Sequence, residues 1–390
     1  MDDFLFRDAD LTGTATVLAN ARIVLDAEIV AGDIFIADGK IVAGAAPAGP
    51  VLDCAGDYLV PGLIDLHTDN IEHHLHPRPG VVWPSAMAAA LAHDWQMLGA
   101  GITTVFDSLS LGDYDSGGTR TRMLDAAIGG FDQAHAAGLL KADHYFHFRC
   151  ELSDAGLLPI IERHVDNPRL RLLSMMDHTP GQRQWHDLPL YREFRRKRNS
   201  QVWTDAEFEA FLAGRRASQE QFVPRARALI AAHGRVRQIR LASHDDTTVA
   251  DVEQSAADGI TISEFPTTLA AARRARELGQ QIVIGSPNVV LGGSHSGNVS
   301  ALHLAEAGLL DILTSDYVPS SLLHAAFLLG ERSGDLPDAL ATVTAGPAAL
   351  LGLADRGRIA PGLRADLLLV RVVSGVPVIR AIWAGGRRYL

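Results

Sequence analysis

Eight short apolar runs recur along the middle of the chain, each followed by helix-patterned sequence, and this alternation restricts the fold more than any other feature. The runs predict strands over 58–66, 102–107, 143–150, 170–177, 238–243, 260–263, 281–285 and 311–315, with helices such as 84–99, 119–137, 205–232 and 319–330 between them. A strand returns parallel to its neighbour only through a crossover, so strands that alternate with helices point to parallel β/α units. Eight units over roughly 290 residues suit a closed (β/α)8 TIM-type barrel with insertions, since such barrels take about 250 residues. A doubly wound open sheet is the alternative.

The two chain ends read differently. Ala21 to Leu25, Asp33 to Ala37, the turn Asp38-Gly39 and Lys40 to Val42 form short strands around turns, and so do Ala365 to Val370 and Val378 to Gly386. Strand-rich half-sheets at opposite ends of one chain are expected to close on each other. The expected division is a composite β-sandwich from 1–58 and 352–390, and a barrel over 59–351.

Composition narrows the class. Of 390 residues 47% are hydrophobic and 21% charged, which supports a substantial core and argues against disorder. A net charge of -11 argues against a nucleic-acid scaffold but leaves room for a local cationic cleft that takes an anionic small molecule. Cys54 and Cys150 are too few for a disulfide framework, and the opening Met-Asp-Asp-Phe is acidic where a secretory signal is basic, so a cytoplasmic location is expected. The long uncharged stretch 278–305 is rich in Gly, Ser, Asn and His; it reads as loops around a site rather than a membrane span. Residues 182–204 carry five arginines and Lys197, a cluster whose ordinary reading is a solvated helix face.

Active sites of such barrels lie at the carboxyl ends of the strands. Six candidate metal ligands stand there: His67 and Asp69 after the first strand, Glu151 after the third, His178 after the fourth, His244 after the fifth and Asp316 after the eighth. Residues two apart on a strand point the same way, so His67 and Asp69 can reach one centre. Singly, each has a plain role as a helix cap or hydrogen-bonded strand end. Together, imidazoles and carboxylates from five strand ends make an N/O shell suited to a divalent ion, zinc first, with manganese or iron as alternatives and one or two ions.

Val60-Pro61-Gly62-Leu63-Ile64-Asp65-Leu66-His67 and the closing Gly362-Leu363-Arg364-Ala365-Asp366-Leu367 resemble the amidohydrolase superfamily. His67-Thr68-Asp69 departs from that superfamily's usual His-x-His. The longer motifs around Arg149-Cys150-Glu151, Met176 to Gln184, Ser243 to Asp246, Glu264 to Thr268, Gly285 to Asn298 and Ser315-Asp316-Tyr317 are similar to the amidohydrolases of the bacterial carbon–phosphorus lyase pathway, along nearly the whole chain. The resemblance implies hydrolysis of a phosphoanhydride on a ribose methylphosphonate triphosphate, with release of pyrophosphate. It also implies Asp316 as general base and the six residues above as ligands. Many binuclear relatives bridge their metals with a carbamylated lysine after the fourth strand, but none of the three lysines, Lys40, Lys141 and Lys197, falls there, so Glu151 is the expected bridge.

An anionic phosphorylated small molecule is then the expected partner, bound by Arg78, Gln182, Arg183, Gln184, Asn288, His295 and Asn298. Arg183 or His295 is expected to meet the charge developing on the leaving pyrophosphate. Gly292-Gly293 and Gly297 fit either a phosphate-cradling nest or an ordinary tight turn. Two other readings stay open: C–N bond hydrolysis of a cyclic amide or amino sugar, and a barrel kept for assembly alone. The sequence leaves the oligomeric state open, a homodimer included.

Overall fold

The computed structural model describes residues 15–44, 47–112, 119–199, 202–294 and 297–390. Eight parallel strands form one sheet: Leu63–Thr68, Ile102–Leu111, Asp143–Glu151, Leu170–Met176, Arg240–His244, Ile262–Glu264, Gln281–Gly285 and Ile312–Thr314. Each pairs in parallel with the next, and a bridge between Thr68 and Asp316 closes the eighth onto the first. The expected (β/α)8 barrel is therefore the fold. Its lower interior is filled by Ile64, Leu66, Phe106, Leu172, Ala242, Ile262, Val283 and Ile312, one or two side chains from nearly every strand.

The chain ends meet in a second sheet, ordered Arg387–Arg388, Val376–Ala384, Leu367–Val373, Tyr58–Pro61, Thr16–Val24, Ile29–Ala37, Lys40–Val42, with Val51–Asp53 also on Thr16–Val24. Its seam is the antiparallel pairing of Leu367–Val373 with Tyr58–Pro61. Both faces of this seam are covered. Leu367 and Leu369 join the sheet's own core with Trp383 and Ile23, whereas Leu368 and Val370 join the core against the barrel helices. An unbroken apolar run there is what a strand buried on two faces requires.

The run 58–66, expected as one strand, is divided at Gly62. Before it the chain belongs to the composite sheet and after it to the barrel. A Cβ at Gly62 would stand 2.3 Å from Thr103 Oγ1, so only glycine permits this close passage.

The arginine-rich insertion becomes the helix Leu188–Asn199, followed by Asp205–Arg237. Arg196 and Lys197 pair with Glu193 in solvent and Arg192 pairs with Asp205 at 2.7 Å, as a solvated face does. Arg195 is buried instead, over the rings of Trp203 and Phe211.

Outside the second and third strands, helix Ala86–Gly99 buries a charged network. Asp107 accepts from His93 Nε2 at 2.7 Å and from His144 Nδ1 at 2.8 Å, and Asp94 lies 3.3 Å from His144 Nε2. Burial pushes the His144 imidazolium down, but Asp107 and Asp94 more than offset it and hold it up at about 9. A histidine whose folded pKa is raised contributes stability that is fully present below its unfolded value and lost as pH rises through the folded one. The denaturant midpoint of the wild type is expected to fall between about pH 6.5 and 9 more steeply than that of His144→Gln. Urea melts of both proteins across that window check this; parallel curves would remove His144 from the linkage.

Candidate metal centre

The inner face of each strand carries every second residue, so apolar side chains low in the barrel give way to polar ones at the mouth. On the third strand the sequence Tyr145, His147, Arg149, Glu151 climbs that face, while Phe146, Phe148 and Cys150 pack outward against the helices. The fourth offers Leu172 then Ser174, the fifth Ala242 then His244, and the sixth Ile262 then Glu264.

Two buried glutamates organise the histidines. Glu264 lies 2.7 Å from His67 Nδ1 and 3.0 Å from His244 Nδ1, and accepts from Ser174 Oγ at 3.0 Å. Glu151 lies 2.6 Å from His178 Nδ1 and accepts from Ser153 Oγ at 2.7 Å. Burial works against both carboxylates as anions, yet the imidazoles and hydrogen bonds hold each below the usual range. All three histidines thus have Nδ1 engaged by a carboxylate, which makes Nε2 the ring nitrogen that can offer a lone pair to an ion. Metal-binding histidines are held in this way.

His178 Nε2 and His244 Nε2 lie 3.8 and 3.6 Å from Asp245 Oδ2. These gaps are too long for hydrogen bonds, and close to the roughly 3.4 Å between ligands of a tetrahedral shell with bonds of about 2.05 Å. His178, His244 and Asp245 therefore fit a divalent ion by donor type and spacing. The buried trio His67, His147 and Glu264 is tied by the short His67–Glu264 contact, and burial pushes His147 down to about 3, so that ring is neutral.

Backbone strain marks the same rim. Asp245, Phe265 and Asp316, each just past a strand, have φ of 58°, 55° and 55°, a left-handed conformation that aspartate tolerates, that is costly for phenylalanine, and that is concentrated at functional sites. The Asp316 N–H donates to the His67 carbonyl at 2.9 Å, at the closing seam of the barrel. Gly285, at the end of the seventh strand, packs beside it: a Cβ there would stand 3.4 Å from Asp316 Oδ2, an ordinary contact. Burial holds the Asp316 carboxyl above its ordinary value.

Of the residues singled out in the sequence, His67, His178, His244, Asp316, Gln184, Asn288 and Asn298 line one cleft at the barrel mouth. Asp69 stands beside it, its Oδ2 3.5 Å from Arg149 Nη1. Glu151 lies behind His178, and a bridging role would require it to release that ring. Arg183 is buried and paired with Asp246, its charge already met inside the protein. Gln182 is off the cleft lining with its Nε2 buried, and Arg78 is exposed on the loop after the first strand. His295 lies outside the described residues. The N–H groups of Gly292 and Gly293 donate to Val289 and Asn288 carbonyls, closing the short helix Ser286–Val290, which is turn chemistry rather than an anion nest. Sequence reasoning passed over Arg149, Asp245 and Glu264. Glu264 carried a readable signal, as the polar residue that ends the sixth strand.

A barrel with histidines and carboxylates at its strand ends, flanked by a sheet from both termini, defines a class. The model of the amidohydrolase family matches residues 85–374, and the chain belongs to that family. Over 378 residues, 95% of this chain and 99% of the relative, it is 42% identical to the alpha-D-ribose 1-methylphosphonate 5-triphosphate diphosphatase of Escherichia coli strain K12. Solved structures share the fold at low identity. A dihydropyrimidinase from Brevibacillus agri NCHU1002 gives a TM-score of 0.62 at 15% identity, over 96% of this chain and 94% of that one. An amidohydrolase from a Sargasso Sea environmental sample gives 0.63 at 14%, over 96% and 92%. Among the described residues no helix is long and apolar enough to cross a membrane.

Proposed function

We propose that this chain is a metal-dependent diphosphatase of phosphonate breakdown that hydrolyses the phosphoanhydride of α-D-ribose 1-methylphosphonate 5-triphosphate, releasing pyrophosphate and leaving the 5-phosphate. The observation that carries the reading is the 42% identity to the Escherichia coli diphosphatase along nearly the full length of both chains. His178, His244 and Asp245 would hold the ion, with His67, Asp69 and Asp316 near them at the barrel mouth; the histidine-rich N/O set favours zinc. When bound, such an ion lowers the pKa of water towards about 7 and offsets charge on a phosphoryl oxygen.

The chain's own groups do the rest. Glu151 and Glu264 fix the tautomers of the three histidines. Asp316, held ready to take a proton, accepts it from the attacking water. The amides of Gln184 and Asn298 line the path of the polyphosphate as hydrogen-bond donors. Attack at the α-phosphorus is favoured because pyrophosphate leaves more readily than a ribose alkoxide.

Hydrolysis in heavy-oxygen water tests both substrate and route. Label is expected in the sugar 5-phosphate and none in pyrophosphate. Label found only in pyrophosphate would move the attack to the β-phosphorus. Turnover of a cyclic amide with no pyrophosphate from the triphosphate would overturn the reading in favour of C–N hydrolysis.

A further inference from the structure

Among the described residues, the cleft lining contains one side chain with a permanent positive charge, Arg149. It is the third residue from the end of the third barrel strand, and the inward parity of that strand sends it into the mouth. Its Nη1 faces Asp69 Oδ2 at 3.5 Å, a long contact that leaves donors over, and its Nε is buried without a hydrogen-bond partner. The other arginines expected to serve an anion are elsewhere: Arg183 is neutralised by Asp246 and Arg78 is in solvent.

The donor atoms of the cleft fall into two groups. His178, His244 and Asp245 form one group, with donor atoms spaced as ligands. In the other, His67 is bound to Glu264, and Asp69 shares its position with the guanidinium. A guanidinium does not deprotonate in a protein, so it cannot lose its charge to make way for a dication as a lysine or histidine can.

We propose that Arg149 stands where a binuclear centre would carry its second ion: the site holds one divalent ion at His178, His244 and Asp245, and the Arg149 guanidinium supplies the other positive charge to the phosphoryl oxygens. The inference rests on the diphosphatase reading and extends it. A planar fork of donors suits two oxygens of one phosphoryl group, and Asp69 acts as the positioning residue that keeps the fork turned into the cleft. The departure from His-x-His at Asp69 acquires a reason: the position holds an arginine instead of a metal.

The count of ions tests this without any substitution. Chelator-stripped wild-type protein titrated with zinc in a calorimeter, then dialysed and assayed by mass spectrometry, is expected to retain a single equivalent; two tightly held equivalents would overturn the inference. Zinc-loaded Arg149→Met is expected to keep that equivalent and its melting temperature. Its affinity for inorganic pyrophosphate should fall about tenfold or more, as the loss of a charge-assisted contact costs. Turnover of the triphosphate should fall about 100-fold or more. Arg149→Lys, which restores charge without the fork, should lie between. Unchanged pyrophosphate affinity in Arg149→Met would also overturn it. A wild type that holds one zinc and binds pyrophosphate through Arg149, yet leaves the triphosphate intact, would keep the charge assignment and remove only the substrate.

Discussion

Asp316→Asn is expected to lower kcat on the triphosphate by about 10²–10⁴, the usual contribution of a positioned general base. The substitution keeps the size of the side chain, and asparagine tolerates the left-handed backbone at φ 55°. What changes is the ability to take a proton. The Asp316 carboxyl is raised by burial, which makes it a stronger base than a solvated aspartate, and an amide has no such capacity. Steady-state rates at several pH values check the assignment: the acidic limb of the wild-type profile should disappear in the variant. A variant that kept the limb and lost less than about tenfold would place the base elsewhere.

Glu264→Gln is expected to weaken metal binding by about 10–100-fold, with activity falling in parallel at limiting metal. Both oxygens of Glu264 face an imidazole Nδ1, His67 at 2.7 Å and His244 at 3.0 Å. Glutamine offers one acceptor and one donor, so one histidine N–H would meet an amide N–H. That ring relieves the clash by moving its proton to Nε2, and its lone pair no longer faces the cleft. Competition with a fluorescent chelator measures the loss directly. Equal metal affinity in the two proteins would mean that Glu264 does not set the tautomers.

The barrel was legible from residue order alone because its signal is local. A short apolar run followed by a helical pattern recurs eight times, and the observed strands fall within a few residues of the expected ones, 281–285 and Gln281–Gly285 coinciding. The meeting of the chain ends was legible too, since strand-rich segments with apolar faces must be covered by something, and each supplied the other's partner. Gly62 was less plain. Its place in an apolar run reads as mid-strand, and only the approach of Thr103 shows that the strand changes sheets there.

The site divided along the same line. Sequence determined which residues stand at the strand ends, because strand periodicity and the position of the first polar residue are local properties; His67, His178, His244 and Asp316 were picked out in that way, and all four line the cleft. It could not show what each side chain meets across the barrel. Glu151 and Glu264 are both polar residues that end a strand, and nothing along the chain says that each holds a histidine Nδ1 from another strand. Arg183 and Arg149 are both arginines in motifs of the same rim. The fold spends one on Asp246, buried beneath His244, and leaves the other beside Asp69 in the cleft, since a charge goes where the nearest opposite charge and the burial of its stem place it. Sequence determined the barrel, its mouth and the residue types around it; the tertiary structure alone decided which are turned inward, which are neutralised by a partner far along the chain, and which remain free to act.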